Sequence, residues 1–274
     1  MAFNRLLLSR RAMQPHRQPT SQNGLHWLER IGLGAITLKL CIELYVGVLF
    51  GRAQLDLPAL AQALRQAGLS VFPALTLVAA AAGIILGQQA ASLLAEINLP
   101  GLILVPVIYA VTMELVPLLV GILVAGRAGV ALAARQATLV ASGQVDGLLV
   151  SGLNPIQFTT GPVLPAMLAM SFALAIWGTL VALGATMLWL VVVADVPAYL
   201  FNNALRQALT PSDVIEALSK PLIFALVVAL IATANGIAAG RDIAGVSRAA
   251  TDTMIGAVTA ILLIDLGFVL APWS

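Results

Sequence analysis

Residues 102–124 read LILVPVIYAVTMELVPLLVGILV, and Ala125-Gly126-Arg127-Ala128-Gly129 follows. The run is long enough to cross the hydrocarbon core of a bilayer, which takes roughly 20 mostly apolar residues. Glu114 is its one charge. Inside lipid a single segment satisfies its own backbone only as a helix. A carboxylate there costs about 3 kcal/mol on insertion scales, so Glu114 faces a partner, a cavity or the protein interior. Pro117 lacks the N–H that would bond the Met113 carbonyl, which predicts a free acceptor and a kink one turn from Glu114. Two readings stand side by side: a polar group in a substrate cavity, or a buried helix–helix hydrogen bond.

Composition extends that reading to the whole chain. Of 274 residues 60% are hydrophobic and 9% charged, with a mean hydropathy of +1.00. A soluble domain keeps roughly a quarter of its residues charged, so this surface faces lipid. The expected class is an all-α integral membrane protein. A formal charge of +2 is no nucleic-acid footprint. Cys41 is the single cysteine and reads as a small apolar residue. Arg10-Arg11 is followed by Gln14-Pro15 rather than an apolar core, so the first residues read as a basic cytoplasmic tail and not a signal peptide.

Hydropathy divides the chain into a flexible tail at 1–24, an interfacial helix at 25–52 and a spanning unit at 53–274. The interfacial assignment rests on Glu29, Arg30, Lys39 and Glu43, dense for a span and suited to a helix at the headgroup level. Five spans follow: Val71–Leu94, Leu102–Val124, Pro162–Val193, Pro221–Ile237 and Ala249–Leu270. Gly126–Gly129 reads as the corner where the second of these leaves the membrane. Residues 137–150 mix Gln144 and Asp146 with Leu139 and Leu149, an amphipathic surface helix ended by Asn154-Pro155. Asp195–Glu216 is a polar excursion.

Lys and Arg set the orientation. The segment through Arg65 carries eight of the fourteen cations, and the 125–155 and 238–248 connections carry two each. Only Arg206 and Lys220 fall on the other side, which predicts a cytoplasmic N-terminus and an external C-terminus. Gly83 and Gly87, Gly143 and Gly147, and Gly236 and Gly240 are four apart, a spacing that serves a dimer face or packing within the chain. Asp265 carries the same two readings as Glu114, and Lys220 either enters a cavity or snorkels to headgroups. His16 and His26 precede the spans, which leaves no material for an intramembrane Ser–His protease or a His-based metal site. No phosphate-binding loop occurs, and no inverted repeat relates the two halves. The pattern is that of a transport subunit without its own engine; a stand-alone secondary carrier and a non-transporting membrane anchor are the alternatives.

Glu114-Leu115-Val116-Pro117, Leu123-Val124-Ala125-Gly126-Arg127-Ala128-Gly129, the helix around Gln144-Val145-Asp146 ending Leu153-Asn154-Pro155, and Ala244-Gly245-Val246-Ser247-Arg248-Ala249-Ala250-Thr251 together resemble the MlaE-type (YrbE-like) permeases. These are membrane subunits of phospholipid ABC transporters that work with MCE-domain proteins. The resemblance runs from about Gly68 to the C-terminus. It implies a homodimer in the bacterial inner membrane, with a lipid cavity between subunits and a role in outer-membrane asymmetry. The implied partners are a cytoplasmic ABC ATPase, a periplasmic MCE-domain protein and a STAS-domain protein. No cofactor belongs to the chain itself, since ATP is used by the partner, and the chain is not expected to be an enzyme. Glu114 and Lys220 fall on polar cavity positions, with Lys220 suited to a phosphate. Leu86, Leu93 and Leu94 fall on the apolar wall. The coupling helix at 137–151 would meet the ATPase, through Arg127, Arg135, Gln144, Asp146 and Leu149.

The chain departs from that pattern in places. Met113 stands where the family usually has Arg, and Val116 where it has Gly. Arg135 and Gly143 replace glutamates and Asn154 an aspartate, which leaves Asp146 as the acidic residue of the coupling helix. Charge complementarity sets register and specificity, so the expected partner is a matched, dedicated ATPase.

Overall fold

The computed structural model describes residues 26–52, 56–97 and 99–270, and no strand occurs among them. The tail at 1–24 lies outside the described residues. The elements are α1 (His26–Leu49), α2 (Leu57–Leu64), α3 (Phe72–Ile97), α4 (Pro100–Ala110), α5 (Val116–Val124), α6 (Val130–Ala141), α7 (Gln144–Val150), α8 (Pro155–Val192), α9 (Ala198–Ala208), α10 (Pro211–Ile237) and α11 (Ile243–Leu270). Single π turns at Arg65–Leu69, Val111–Leu115 and Ala125–Gly129 join some of these into longer rods.

Among the described residues six helical stretches are long and apolar enough to cross a membrane: Gly32–Leu49, Leu57–Ile97, Pro100–Ala141, Pro155–Val192, Pro211–Ile237 and Ile243–Leu270. The last five are the expected spans. By length and composition the first, within the helix expected at the interface, qualifies as well.

Prolines open several helices because their missing N–H is not needed in the first turn. Asp56 caps α2 by accepting from the Ala59 amide (3.2 Å). Asn154 caps α8 by accepting from the Ile156 amide (3.0 Å). Thr210 and Asp213 form a reciprocal capping box on α10, satisfying two orphan donors at once.

Several boundaries differ from the sequence reading. The rod through Glu114 does not turn at Gly126–Gly129; it runs on to Ala141 through a π turn. Gly129 serves contact instead, since a Cβ there would lie 2.5 Å from Val228 Cγ1. The corner is at Ser142-Gly143, where Gly143 takes φ +72°. Residues 137–151 are therefore not one helix but the end of α6, that corner and the short α7. Asn154-Pro155 starts the next span rather than closing the amphipathic segment. The polar excursion after Asp195 holds α9 and the first turns of α10.

α8 lies at the centre, packed on α3, α10, α2, α5 and α1, while α10 touches α8, α11, α6 and α1. The main core joins Leu75 and Ala79 of α3, Val116 and Val120 of α5, Met167 and Leu174 of α8, and Phe224 of α10. A second cluster at the other end packs α9 on α4 through Phe201, Ala204, Ile103 and Leu104. Large apolar side chains such as Leu77, Leu180 and Leu263 point outward, as they do where the solvent is hydrocarbon. With no hydrophobic force between helices in lipid, close approach through small residues holds them together.

Gly83 and Gly87 serve that purpose within the chain. A Cβ on Gly83 would run into the Ala182 carbonyl of α8, and the Gly83 carbonyl accepts from Thr186 Oγ1 (3.0 Å). Gly83→Val is expected to lower stability by about 1–3 kcal/mol, read as a lower Tm in detergent. An unchanged Tm would show that α3 and α8 part freely.

Candidate functional site

Pro117 shapes the site. Without its amide the Met113 carbonyl loses its helical donor; it lies in the π turn Val111–Leu115, a form frequent at functional positions. The freed carbonyl is taken by a side chain from α10: Lys220 Nζ donates to Met113 O at 2.9 Å. The same ammonium donates to Glu114 Oε1 at 2.9 Å and lies 3.5 Å from Asp265 Oδ1 of α11. Its Nζ is also 5.4 Å from the centre of the Phe268 ring, within range of a cation–π contact. Three helical rods thus meet on one cation.

The burial of these groups is unequal. Lys220 is 1% exposed and Asp265 7%, whereas the Glu114 side chain is 34% exposed. Snorkelling by Lys220 is therefore excluded. An ammonium has three donors, and all three have an oxygen nearby: Met113 O, Glu114 Oε1 and Asp265 Oδ1. Lys220 stands nine residues into α10, about 14 Å along its axis at 1.5 Å per residue. Asp265 stands five residues before the end of α11, about 8 Å. The cluster lies in the half of the molecule away from Arg135 and Arg241.

The same proline device occurs a second time. Pro165 leaves the Gly161 carbonyl without its helical donor, and Tyr45 Oη of α1 donates to it at 2.9 Å. Gln157 Nε2 donates to Leu40 O at 3.1 Å, so α1 is tied to α8 by two polar bonds. Below them Gln136 Nε2 donates to Thr159 Oγ1 and Thr160 Oγ1, both at 2.8 Å, and Thr160 shares a hydrogen bond of 3.0 Å with Thr233. Gly236 admits Gln136, since a Cβ there would lie 2.7 Å from Gln136 Cβ. The adjacent Thr159-Thr160 within an apolar run was the available sequence signal for this network.

A family description, the permease MlaE, matches residues 60–271, well over half of the chain. The chain belongs to the MlaE permease family. It is a multi-pass membrane permease. It is similar to a probable ABC transporter permease protein of Rickettsia prowazekii, 27% identical over 72% of this chain and 76% of that one. Another such protein, of Rickettsia conorii, is 31% identical over 57% and 61%. A chloroplastic protein of Arabidopsis thaliana, trigalactosyldiacylglycerol 1, is 29% identical over 60% of this chain and 46% of its own length.

The permease brings Glu114 and Lys220 together, and the three leucines expected on the apolar wall lie along α3. Leu86 is half-buried against the main core and Leu94 against the second cluster, while Leu93 faces outward, all on α3. Asp265, which the sequence left open between two readings, is the third member of the cluster.

The expected coupling residues lie on the π turn Ala125–Gly129, on α6 and on α7. Arg127 Nε donates to Ser70 Oγ at 3.2 Å. Arg135 is exposed on a cleft with Gln62 and Gln66 of α2 and its π turn. Asp146 pairs with Arg241 of the α10–α11 turn at 3.5 Å, and Gln144 is exposed beside it. Leu149 faces outward, and Val150 and Ile243 are each 91% exposed. Two departures from the family pattern have local causes. Gly143 occupies a left-handed turn that a glutamate would strain, and Asn154 caps a helix as well as an aspartate does.

Proposed function

We propose that this permease is the membrane subunit of an ABC transporter for phospholipid. It passes lipid between the inner membrane and a periplasmic MCE-domain protein, and a separate cytoplasmic ATPase drives it. Family membership carries the reading, together with relatives named as ABC transporter permeases. The distribution of charge supports the orientation: Arg127 reaches Ser70, Arg135 the cleft with Gln62 and Gln66, and Arg241 pairs with Asp146, all in connections that the positive-inside rule puts in the cytoplasm. At that end α7 and the α10–α11 turn offer Leu149, Val150 and Ile243 to the ATPase. At the other end the Glu114–Lys220–Asp265 cluster opens on the flank of the chain through Glu114, where a second copy would close a lipid cavity.

Glu114→Ala keeps the Met113 carbonyl and Asp265 as partners of Lys220. The expected result is an assembled complex that transfers lipid to the MCE-domain protein at least tenfold more slowly, measured with acyl-labelled lipid in proteoliposomes. A variant that fails to dimerise or bind its partners would assign Glu114 to helix packing.

A further inference from the structure

The proposed lipid cavity needs a headgroup specificity, and the geometry of the cluster supplies one. We infer that the site recognises the ammonium of an amine-bearing headgroup, such as that of phosphatidylethanolamine, through the open carboxylate of Glu114. The inference rests on the proposed lipid transport.

A phosphate would need a free cation, and Lys220 is not one. It is 1% exposed, and its three donors face Met113 O, Glu114 Oε1 and Asp265 Oδ1 at 2.9, 2.9 and 3.5 Å. A phosphate could reach it only by displacing carboxylates already in place and already desolvated. The cluster also pairs one ammonium with two carboxylates, which leaves acceptor capacity in excess. Asp265 Oδ1 makes no hydrogen bond although buried, so its attraction to Lys220 is charge without a bond. Glu114 binds Lys220 through Oε1 and is 34% exposed. A carboxylate has about four lone-pair sites, so Glu114 can accept from a ligand while holding Lys220. A primary ammonium arriving there balances the second carboxylate and gains a charge-assisted hydrogen bond in a medium of low dielectric. An anionic headgroup with no amine meets the excess negative charge instead.

The test uses the purified full-length permease with its partners in detergent. It is offered an equal mixture of phosphatidylethanolamine and phosphatidylglycerol with identical, isotopically distinguished acyl chains, and bound lipid is counted by mass spectrometry. The expected result is about a tenfold preference for the amine lipid in the wild type. Glu114→Gln is nearly isosteric and removes the excess charge, so the preference should fall to within twofold of unity. Asp265→Asn, which leaves Glu114 in place, should reduce it in part. Equal retention of both lipids by the wild type, or preference for phosphatidylglycerol, would overturn the inference and return Lys220 to the role of phosphate partner. Displacement of bound lipid by millimolar free ethanolamine would do so too, by making a soluble amine the ligand. Retention of neither lipid above that of an unrelated membrane protein would count against lipid transport itself, a separate failure.

Discussion

Lys220→Met is expected to lower stability by about 3–5 kcal/mol, the usual cost of removing one partner from a buried charge set. The loss has three named parts. The Met113 carbonyl, already without its helical donor because of Pro117, loses the substitute that Lys220 provides. Asp265, 7% exposed, is left without a cation. Glu114 loses the bond that orients it. Methionine matches the length of the lysine stem, so the change tests charge and hydrogen bonding rather than volume. The checks are the Tm and the monodisperse yield in detergent. Adding Asp265→Asn to Lys220→Met should recover part of the loss, because the second substitution removes an uncompensated carboxylate. A single variant as stable as the wild type would mean that the cluster contributes nothing to holding α10 against α5 and α11.

That cluster was half legible in the sequence. Pro117 predicted a free Met113 carbonyl from covalent chemistry alone, and Glu114 declared itself by its cost in lipid. What the sequence could not say was which side chain fills the acceptor. Lys220 lies 107 positions away, and only the packing of α10 along α5 brings it there. Hydropathy alone starts the span at Pro221, which puts Lys220 at a membrane edge. The capping box at Thr210 moves that start outward and puts the lysine in the interior. The five later spans were readable from hydropathy, which depends on composition rather than on contacts. The corner does not fall at Gly126–Gly129 because a glycine has two uses, turning and close packing, and at Gly129 only the neighbour, Val228, decides between them. At Gly143 the backbone itself decides.

Val150→Lys combined with Ile243→Glu should weaken binding of the ATPase at least tenfold. Both side chains are 91% exposed, at the end of the molecule rich in arginine, where lipid does not explain apolar residues. Each new charge suits its helix: a cation near the C-terminus of α7 and an anion at the N-terminus of α11. The fold should therefore keep its Tm within about 1 kcal/mol of stability, while an apolar contact at the docking surface becomes a buried charge. Affinity is read by titrating the purified ATPase onto the reconstituted permease. Unchanged affinity would move the docking surface away from α7 and the α10–α11 turn, toward Arg135 and the α2 cleft.

Coupling of lipid to a separate ATPase is open to a direct test. Its most direct measurement is ATP hydrolysis by the partner, reconstituted with the permease in vesicles, as phospholipid is added to a lipid-poor starting state. The expected result is hydrolysis that rises several-fold with lipid, that requires both proteins and that falls with Glu114→Ala. Lipid movement without any ATPase would identify a stand-alone carrier, and hydrolysis indifferent to lipid would identify a membrane anchor; either result would contradict it.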